Sequence, residues 1–156
     1  MKVIFLDIDG VLNFARCEAR APGGFIGISE ARVKLLRQIV DATGARIVLT
    51  STWKMEWSKD DEECTANGLY LTKKLRRHGL HILDKTKEDS PSMRGKGIND
   101  WLKKNDHVTD WIVLDDDIFP DYEAEGIMPH LIKTSFSNGG MNENDAAKAI
   151  ELLGGK

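Results

Sequence analysis

The feature that most constrains the fold is a short apolar run, residues 3–6, that ends in two acids and a glycine. Asp7, Asp9 and Gly10 follow the run directly. This pattern predicts a buried strand that delivers two carboxylates to the edge of a sheet, where Gly10 lets the backbone turn sharply. Since two like charges so close together resist ionising together, a cation or a shared proton is expected between them. An ordinary Asp-Gly turn after an edge strand is the alternative.

Length and composition predict one soluble domain over residues 1–156. The chain is 41% hydrophobic, and its formal net charge of -3 does not indicate a nucleic-acid or anionic membrane surface as partner. Cys17 and Cys64 are too few and too far apart for a disulfide framework or a zinc knot, which fits a reducing cytoplasm. No apolar run approaches the roughly 20 residues of a membrane span, and the first strand begins at once. We therefore expect a cytoplasmic protein with no membrane partner.

Strand-like and helix-like segments alternate along the chain. Five short apolar segments predict strands, the fifth as an edge strand: residues 3–6, 46–49, 81–83, 111–114 and 131–133. A first helix is predicted from Ser29 as N-cap to Gly44, and a final helix begins at Asn142, with Asp145 completing its cap.

The segments between these elements are less regular. Residues 14–28 are rich in glycine and polar groups, which predicts a small flap beside the first strand. Residues 60–79 predict one broken helix or two short ones, and residues 85–96 predict a loop before a short helix.

Strands separated by helices predict a three-layer, Rossmann-like α/β sandwich with a mostly parallel sheet. Ligands of such sheets bind at the carboxyl ends of the strands. Three predicted strands end there in polar pairs: Asp7 and Asp9, Thr50 and Ser51, and Asp115 and Asp116. Acids from two strands suit a hard divalent cation, most naturally Mg²⁺, while a hydroxyl and a nearby cation suit phosphate oxygens. Arg94 and Lys96 are the candidate cations, just before the predicted short helix.

The order of these motifs resembles that of the haloacid dehalogenase-like (HAD) superfamily of aspartate-nucleophile phosphatases. More narrowly, four segments resemble the HAD domain of Swiss-army-knife RNA repair proteins: Phe-Leu-Asp-Ile-Asp-Gly-Val-Leu-Asn, Val-Leu-Thr-Ser-Thr-Trp-Lys, Ile-Asn-Asp-Trp-Leu and Val-Leu-Asp-Asp-Asp. The resemblance spans residues 3–153. This chain departs from it at Lys54, where an arginine is expected, and at Gly97, where an acid is expected.

The resemblance implies a mechanism for the acids. Asp7 would be the nucleophile that forms an aspartyl-phosphate, and Asp9 would protonate the leaving oxygen and later deprotonate the attacking water. Mg²⁺ would be bound by Asp7, by the backbone carbonyl of Asp9 and by Asp116, while Asp115 would be a second ligand or hold a metal-bound water. An acid at position 9 also argues against dehalogenation.

The resemblance also implies groups that steady the transferring phosphoryl group. Thr50 and Lys96 are expected in this role, with Ser51 as the rival hydroxyl and Arg94 as the rival cation. The sequence does not separate the members of either pair.

The short gaps between the motifs leave room only for the flap and not for a cap domain. An open cleft suits a phosphate on a bulky substrate, such as an RNA or DNA end, a nucleotide or a phosphoprotein. Trp53 and Trp57 are candidates for stacking on a base, and Lys54 for a contact with a backbone phosphate, although tryptophans are more often core residues. The alternatives to a Mg²⁺-dependent phosphatase are a catalytically silent binding module for phosphorylated ends and a phosphotransferase. The intact pair of Asp7 and Asp9 favours catalysis.

Overall fold

The alternation of strands and helices is confirmed in the computed structural model, which describes residues 1–155. All five strands pair in parallel, in the order β3-β2-β1-β4-β5: β1 Lys2–Leu6, β2 Arg46–Leu49, β3 Ile82–Lys85, β4 Asp110–Asp115 and β5 Leu131–Lys133. Four helices surround this sheet: α1 Glu30–Thr43, α2 Ala66–Arg76, α3 Arg94–Lys104 and α4 Glu143–Leu152. Within residues 1–155, none of these helices has the length and apolar character needed to cross a membrane.

Alternate side chains of the central strand β1 enter two hydrophobic cores, one on each face of the sheet. Ile4 and Leu6 pack with the buried residues of α1, α2 and α4. Val3 and Phe5 pack with those of α3 and of the segment 117–130. Since successive side chains of a strand point to opposite faces, the short apolar run of β1 serves both cores. The result is the predicted three-layer sandwich.

The ends of α1 and α4 follow the predicted signals. Gly44 ends α1 with φ of 72°, a left-handed conformation that glycine adopts without steric cost. Ser29 precedes α1, although its side chain makes no capping hydrogen bond. At α4, Asn142 accepts from the backbone N–H of Asp145 at 2.8 Å and Asp145 accepts from that of Asn142 at 3.0 Å, which completes the predicted capping box.

The predicted loop over residues 85–96 is wrong at its end, because α3 already begins at Arg94. The carboxylate of Asp121 accepts hydrogen bonds from the backbone N–H groups of Gly95 and Lys96, at 2.9 and 2.8 Å. An acid from a distant segment thus satisfies the free N–H groups of the first turn. This early start decides which way Arg94 and Lys96 face.

The flap predicted at residues 14–28 is a loop closed by one antiparallel bridge between Arg20 and Ile26. Two hydrogen bonds fix it to α2: the N–H of Gly23 donates to Asn67 at 2.9 Å, and the N–H of Ile28 donates to the hydroxyl of Tyr70 at 3.0 Å. The flap is therefore held in place beside the sheet edge. The region 60–79 contains one short 3-10 helix, Asp61–Glu63, followed by α2.

Candidate active site

The register of the sheet brings three polar residues into one row. Leu6 of β1 aligns with Leu49 of β2 and with Leu114 of β4. The N–H of Asp7 donates to the carbonyl of Leu114, and the N–H of Thr50 donates to that of Leu6, both at 2.9 Å. The residues that follow these three leucines therefore lie side by side at the carboxyl edge of the sheet: Asp7, Thr50 and Asp115.

Asp7, Asp115 and Asp116 form a cluster in which one carboxylate oxygen of each lies within 4.8 Å of the others. Asp7 and Asp115 are buried and Asp116 is half-buried. Burial, followed by repulsion from Asp115, raises the pKa of Asp7 well above its ordinary value and also raises that of Asp116. Such a cluster of hard oxygen donors suits Mg²⁺, whose charge would allow all three acids to ionise. Of the four residues predicted at the metal, only the carboxylate of Asp9 lies outside this cluster.

Asp115 is tied to protein donors through both of its oxygens. Its Oδ2 accepts from the hydroxyl of Tyr122 at 2.8 Å and from Nη1 of Arg94 at 3.3 Å, and its Oδ1 accepts from the N–H of Asp117 at 3.1 Å. Burial, with the charge of Asp115, raises the pKa of Tyr122, so the phenol keeps its proton and stays a donor. Asp116 has no such partners among residues 1–155, which favours Asp116 over Asp115 as a direct metal ligand.

The turn after β1 requires a glycine for two reasons. Gly10 has φ of 83°, a left-handed conformation that other residues adopt only at a cost. A Cβ added at Gly10 would also overlap the carboxylate of Asp116. The absence of a side chain at Gly10 therefore lets Asp116 reach the first acid motif.

Asp9 is exposed, and it is held apart from the cluster by two side chains. The amide nitrogen of Asn13 donates to its Oδ1 at 2.9 Å, and the indole N–H of Trp53 lies 3.3 Å from both carboxylate oxygens. The buried Asn13 is itself fixed, because its Oδ1 accepts from the N–H of Gly10 at 2.9 Å. The two acids of the first motif thus have different surroundings, as two different chemical roles require. Sequence reasoning missed Asn13 and did not foresee the bond from Trp53.

Arg94 occupies the cationic position beside the acids. Its Nη1 lies 3.6 Å from Oδ1 of Asp7 and 3.3 Å from Oδ2 of Asp115, and its guanidinium lies 3.9 Å from the ring centre of Phe119. Burial lowers the pKa of Arg94, but the nearby acids outweigh this effect and raise it overall. Its buried Nε–H has no hydrogen-bond partner within residues 1–155. Arg94 therefore keeps a free donor at the sheet edge.

The structure does not bring Lys96 to the catalytic position predicted for it, because its side chain pairs with Asp100 instead of the acid cluster. Its side chain is 52% exposed, and its Nζ pairs with Asp100 one helical turn later, at 2.6 Å. Two residues along an α-helix correspond to about 200° of rotation. Because Arg94 and Lys96 both belong to the first turn of α3, the inward direction of Arg94 turns Lys96 outward.

The structure also distinguishes between the two candidate hydroxyls, those of Thr50 and Ser51. Thr50 is fully buried, and its Oγ1 has no hydrogen-bond partner within residues 1–155. Ser51 accepts from the N–H of Trp53 at 3.2 Å and caps the 3-10 helix Thr52–Met55. An unpartnered buried hydroxyl is costly unless a ligand satisfies it, so Thr50 is the better candidate for a phosphate oxygen.

Lys54 and Trp57, the candidates for contacts with nucleic acid, both make contacts within the fold. The ammonium of Lys54 is almost buried and pairs with the carboxylate of Glu88, which is equally enclosed. Burial lowers the pKa of Lys54, although Glu88 acts in the opposite direction. Trp57 belongs to the hydrophobic core. Both side chains are therefore engaged within the protein in this structure.

An apolar cleft of about 520 Å³ opens beside Asp9. The flap contributes one part of its lining, the 3-10 helix after β2 a second part, and the loop after β5 a third. Its lining consists of Asp9, Phe25, Ile26, Thr52, Trp53, Met55, Glu56 and Phe136. The cleft is thus the space next to the acid that stands apart from the cluster.

The sequence model of the HAD domain in Swiss Army Knife RNA repair proteins matches residues 3–146. This span includes the acids after β1, the hydroxyls after β2, the first turn of α3 and the acids after β4, which are the parts that form the site. No curated protein matches the chain significantly. The matched span covers nearly the whole chain, and its fold and its cluster of acids agree with the resemblance of the motifs. The chain therefore belongs to the family of HAD domains found in Swiss Army Knife RNA repair proteins.

Proposed function

We propose that the chain is a Mg²⁺-dependent phosphatase that hydrolyses phosphate monoesters through an aspartyl-phosphate on Asp7. The observation that carries this proposal is the combination of groups around Asp7. Two further acids lie within metal-binding distance, and Thr50 and Arg94 keep buried polar atoms without partners within residues 1–155. A dianionic phosphate and a hard cation would satisfy all of these groups together.

In the first step, a carboxylate oxygen of Asp7 forms a bond to phosphorus while the bond from phosphorus to the leaving oxygen breaks. Asp9 transfers its proton to that oxygen, which departs as an alcohol. Thr50 and Arg94 hold the transferring phosphoryl oxygens. Asp7, Asp116 and the backbone carbonyl of Asp9 would hold Mg²⁺, and its positive charge would let an anionic nucleophile approach an anionic phosphate.

In the second step, water attacks the phosphorus of the aspartyl-phosphate and gives its proton to Asp9. The bond between Asp7 and phosphorus breaks, which regenerates both carboxyl groups in their starting states and releases inorganic phosphate. Asn13 and Trp53 support both steps because they fix the direction of the Asp9 carboxylate. A phosphotransferase would use the same first step with another acceptor, and a silent binding module would need no acid at Asp9.

The direct test is hydrolysis of a simple aryl phosphate with and without metal. We expect activity with Mg²⁺, a loss of at least about tenfold in EDTA, and recovery when Mg²⁺ is added in excess. Thermal unfolding under the same conditions should show that Mg²⁺ raises the Tm, because the ion binds the folded cluster and not the unfolded chain. Full activity in chelator would contradict the metal assignment. Binding of Mg²⁺ with no turnover of any phosphate ester would favour the silent module.

The contrast between Arg94 and Lys96 provides a second test. Arg94→Met should lower kcat/KM by about 10²–10³, the usual effect of removing one donor from a stabilised transition state. Lys96→Met removes a cation two positions away whose side chain pairs with Asp100, and it should change kcat/KM less than twofold. Steady-state assays of both variants, with the Mg²⁺-induced rise in Tm as a check of folding, decide the matter. Equal losses in the two variants would contradict the assignment of Arg94, and not Lys96, as the phosphate-binding cation.

A further inference from the structure

Several apolar side chains that line the cleft beside Asp9 are exposed to solvent instead of packing in a hydrophobic core. Six large apolar side chains are exposed within residues 1–155, and three of them line this cleft: Phe25, Met55 and Phe136. Their exposed fractions are 51%, 81% and 36%. A folded domain has little reason to gather such groups at one place unless they contact a ligand. The volume of about 520 Å³ lies within the usual range of small-molecule sites.

The position of the cleft identifies which part of a substrate enters it. Asp9 lines the cleft, whereas the clustered acids Asp7, Asp115 and Asp116 are not among its lining residues. If Asp9 is the acid that protonates the leaving oxygen, the group attached to that oxygen must lie next to Asp9. The cleft therefore receives the leaving group, and this inference rests on the proposed phosphatase mechanism.

The charge of the lining limits the chemistry of that group. Its two ionisable residues are both acids, Asp9 and Glu56, and it contains no lysine or arginine from residues 1–155. Lys54, the predicted contact for a backbone phosphate, is instead paired with Glu88. A leaving group that carries further phosphates would meet negative charge without compensation. The cleft thus favours a neutral leaving group over a polynucleotide.

Two polar side chains in the lining make few or no hydrogen bonds to the protein within residues 1–155. The hydroxyl of Thr52 makes no hydrogen bond within residues 1–155, and Glu56 accepts only from Thr65, through Oε2 at 2.5 Å. Thr52 and Glu56 could therefore form hydrogen bonds with hydroxyl and amino groups at the edge of a planar ligand. The faces of the same ligand could contact Phe25 and Phe136. Stacking of aromatic side chains with a nucleobase is favourable for every base, because each base presents a π-face.

We infer that the cleft binds the nucleoside of a nucleoside monophosphate, with the base among Phe25, Met55 and Phe136 and the phosphate at Asp7. The base supplies a neutral, planar and mostly apolar surface, and its amino groups and the ribose hydroxyls supply donors for Glu56 and Thr52. A mononucleotide carries no second phosphate into the acidic lining.

The test compares kcat/KM for three kinds of substrate: the 5′- and 3′-monophosphates of adenosine and cytidine, ribose 5-phosphate, and a trinucleotide with a 5′-phosphate. The best mononucleotide should exceed ribose 5-phosphate by about tenfold or more, since stacking of one base is typically worth that much. The trinucleotide should not exceed the mononucleotide. A trinucleotide that is tenfold better, or a ribose 5-phosphate that is equally good, would overturn the inference.

Two variants in the cleft and one control variant test whether the cleft binds the base. Met55→Ala should lower the ratio of kcat/KM for the mononucleotide over ribose 5-phosphate at least threefold, and Phe136→Ala should do the same. Met128→Ala removes a methionine that is also exposed, at 38%, but lies outside the cleft, and it should leave the ratio unchanged. If Met128→Ala and Met55→Ala shift the ratio equally, the cleft does not hold the base.

A binding measurement separates this inference from the proposed function. Calorimetric titration of the Asp7→Asn variant with a mononucleotide and with ribose 5-phosphate needs no turnover. Tighter binding of the mononucleotide would support the cleft. If the unaltered protein then hydrolysed no phosphate ester, that result would contradict the phosphatase and leave the cleft standing. Equal binding of the two, together with efficient hydrolysis of both, would support the phosphatase and contradict the cleft. A phenyl phosphate that matches the mononucleotide in both assays would overturn the assignment to nucleosides.

Discussion

Asp7→Asn is expected to abolish turnover, lowering kcat by roughly 10⁴-fold or more, because the amide cannot form the aspartyl-phosphate. The measurement is a steady-state assay with Mg²⁺, together with mass spectrometry of the protein quenched in acid, which should detect a phosphorylated form of the unaltered chain only. Asp106→Asn is a matched control, since Asp106 is an exposed acid that precedes β4, whereas the site lies at the other end of that strand. Residual activity of Asp7→Asn within tenfold of the unaltered protein would assign the nucleophile to another residue.

The same substitution should stabilise the metal-free protein, which separates lost chemistry from lost folding. Burial raises the pKa of Asp7 in the folded state above its ordinary value of 3.8. Between these two pKa values the folded state binds more protons than the unfolded state, so the free energy of unfolding falls as the pH rises through that window. The amide of the variant carries no charge, so the variant escapes this loss. In EDTA at pH 8, Asp7→Asn should therefore have the higher Tm, by about 2–4 °C per kcal/mol gained.

Asp9→Asn should lower kcat/KM by about 10²–10⁴ for an alkyl phosphate, because the leaving alkoxide then departs without a proton. The loss should shrink for an aryl phosphate whose phenol is acidic, since that leaving group needs little help. Comparison of the two substrate classes distinguishes a general acid from a residue that only positions the substrate. The control variant Asp106→Asn should change both rates less than twofold. Equal losses of Asp9→Asn on both classes would contradict its role as the acid.

The strands and the acids could be predicted from the sequence because their signals are local. In β1, an apolar run and the acids that follow it specify both the strand and its end. The right-handed crossovers between parallel strands then bring Asp7, Thr50 and Asp115 to one edge without knowledge of any contact. The family resemblance assigned roles to these residues on the same local motifs.

The direction of the cations depended on contacts between distant segments, so the sequence left it open. Gly95 and Gly97 discourage a helix when they are considered locally. In the fold, a Cβ at Gly95 would lie 2.8 Å from Asp121 and one at Gly97 would lie 2.7 Å from Glu88, so both glycines permit close approaches. The helix starts early as a result, and Arg94 faces the acids. The pairing of Lys54 with Glu88 could not be predicted from the sequence either, because these residues lie far apart in the chain.

The row of Asp7, Thr50 and Asp115 also has a consequence for biosynthesis. β1 is synthesised before its neighbour β4, which ends at Asp115, much later in the chain. A nascent chain that stops before β4 contains Asp7, the proposed nucleophile, without Asp115 and Asp116, which complete the acidic cluster. If the cluster binds Mg²⁺ as proposed, the ion therefore cannot guide the early stages of folding. Folding before that point depends on other contacts, and the proposed site can be complete only after β4 has been synthesised.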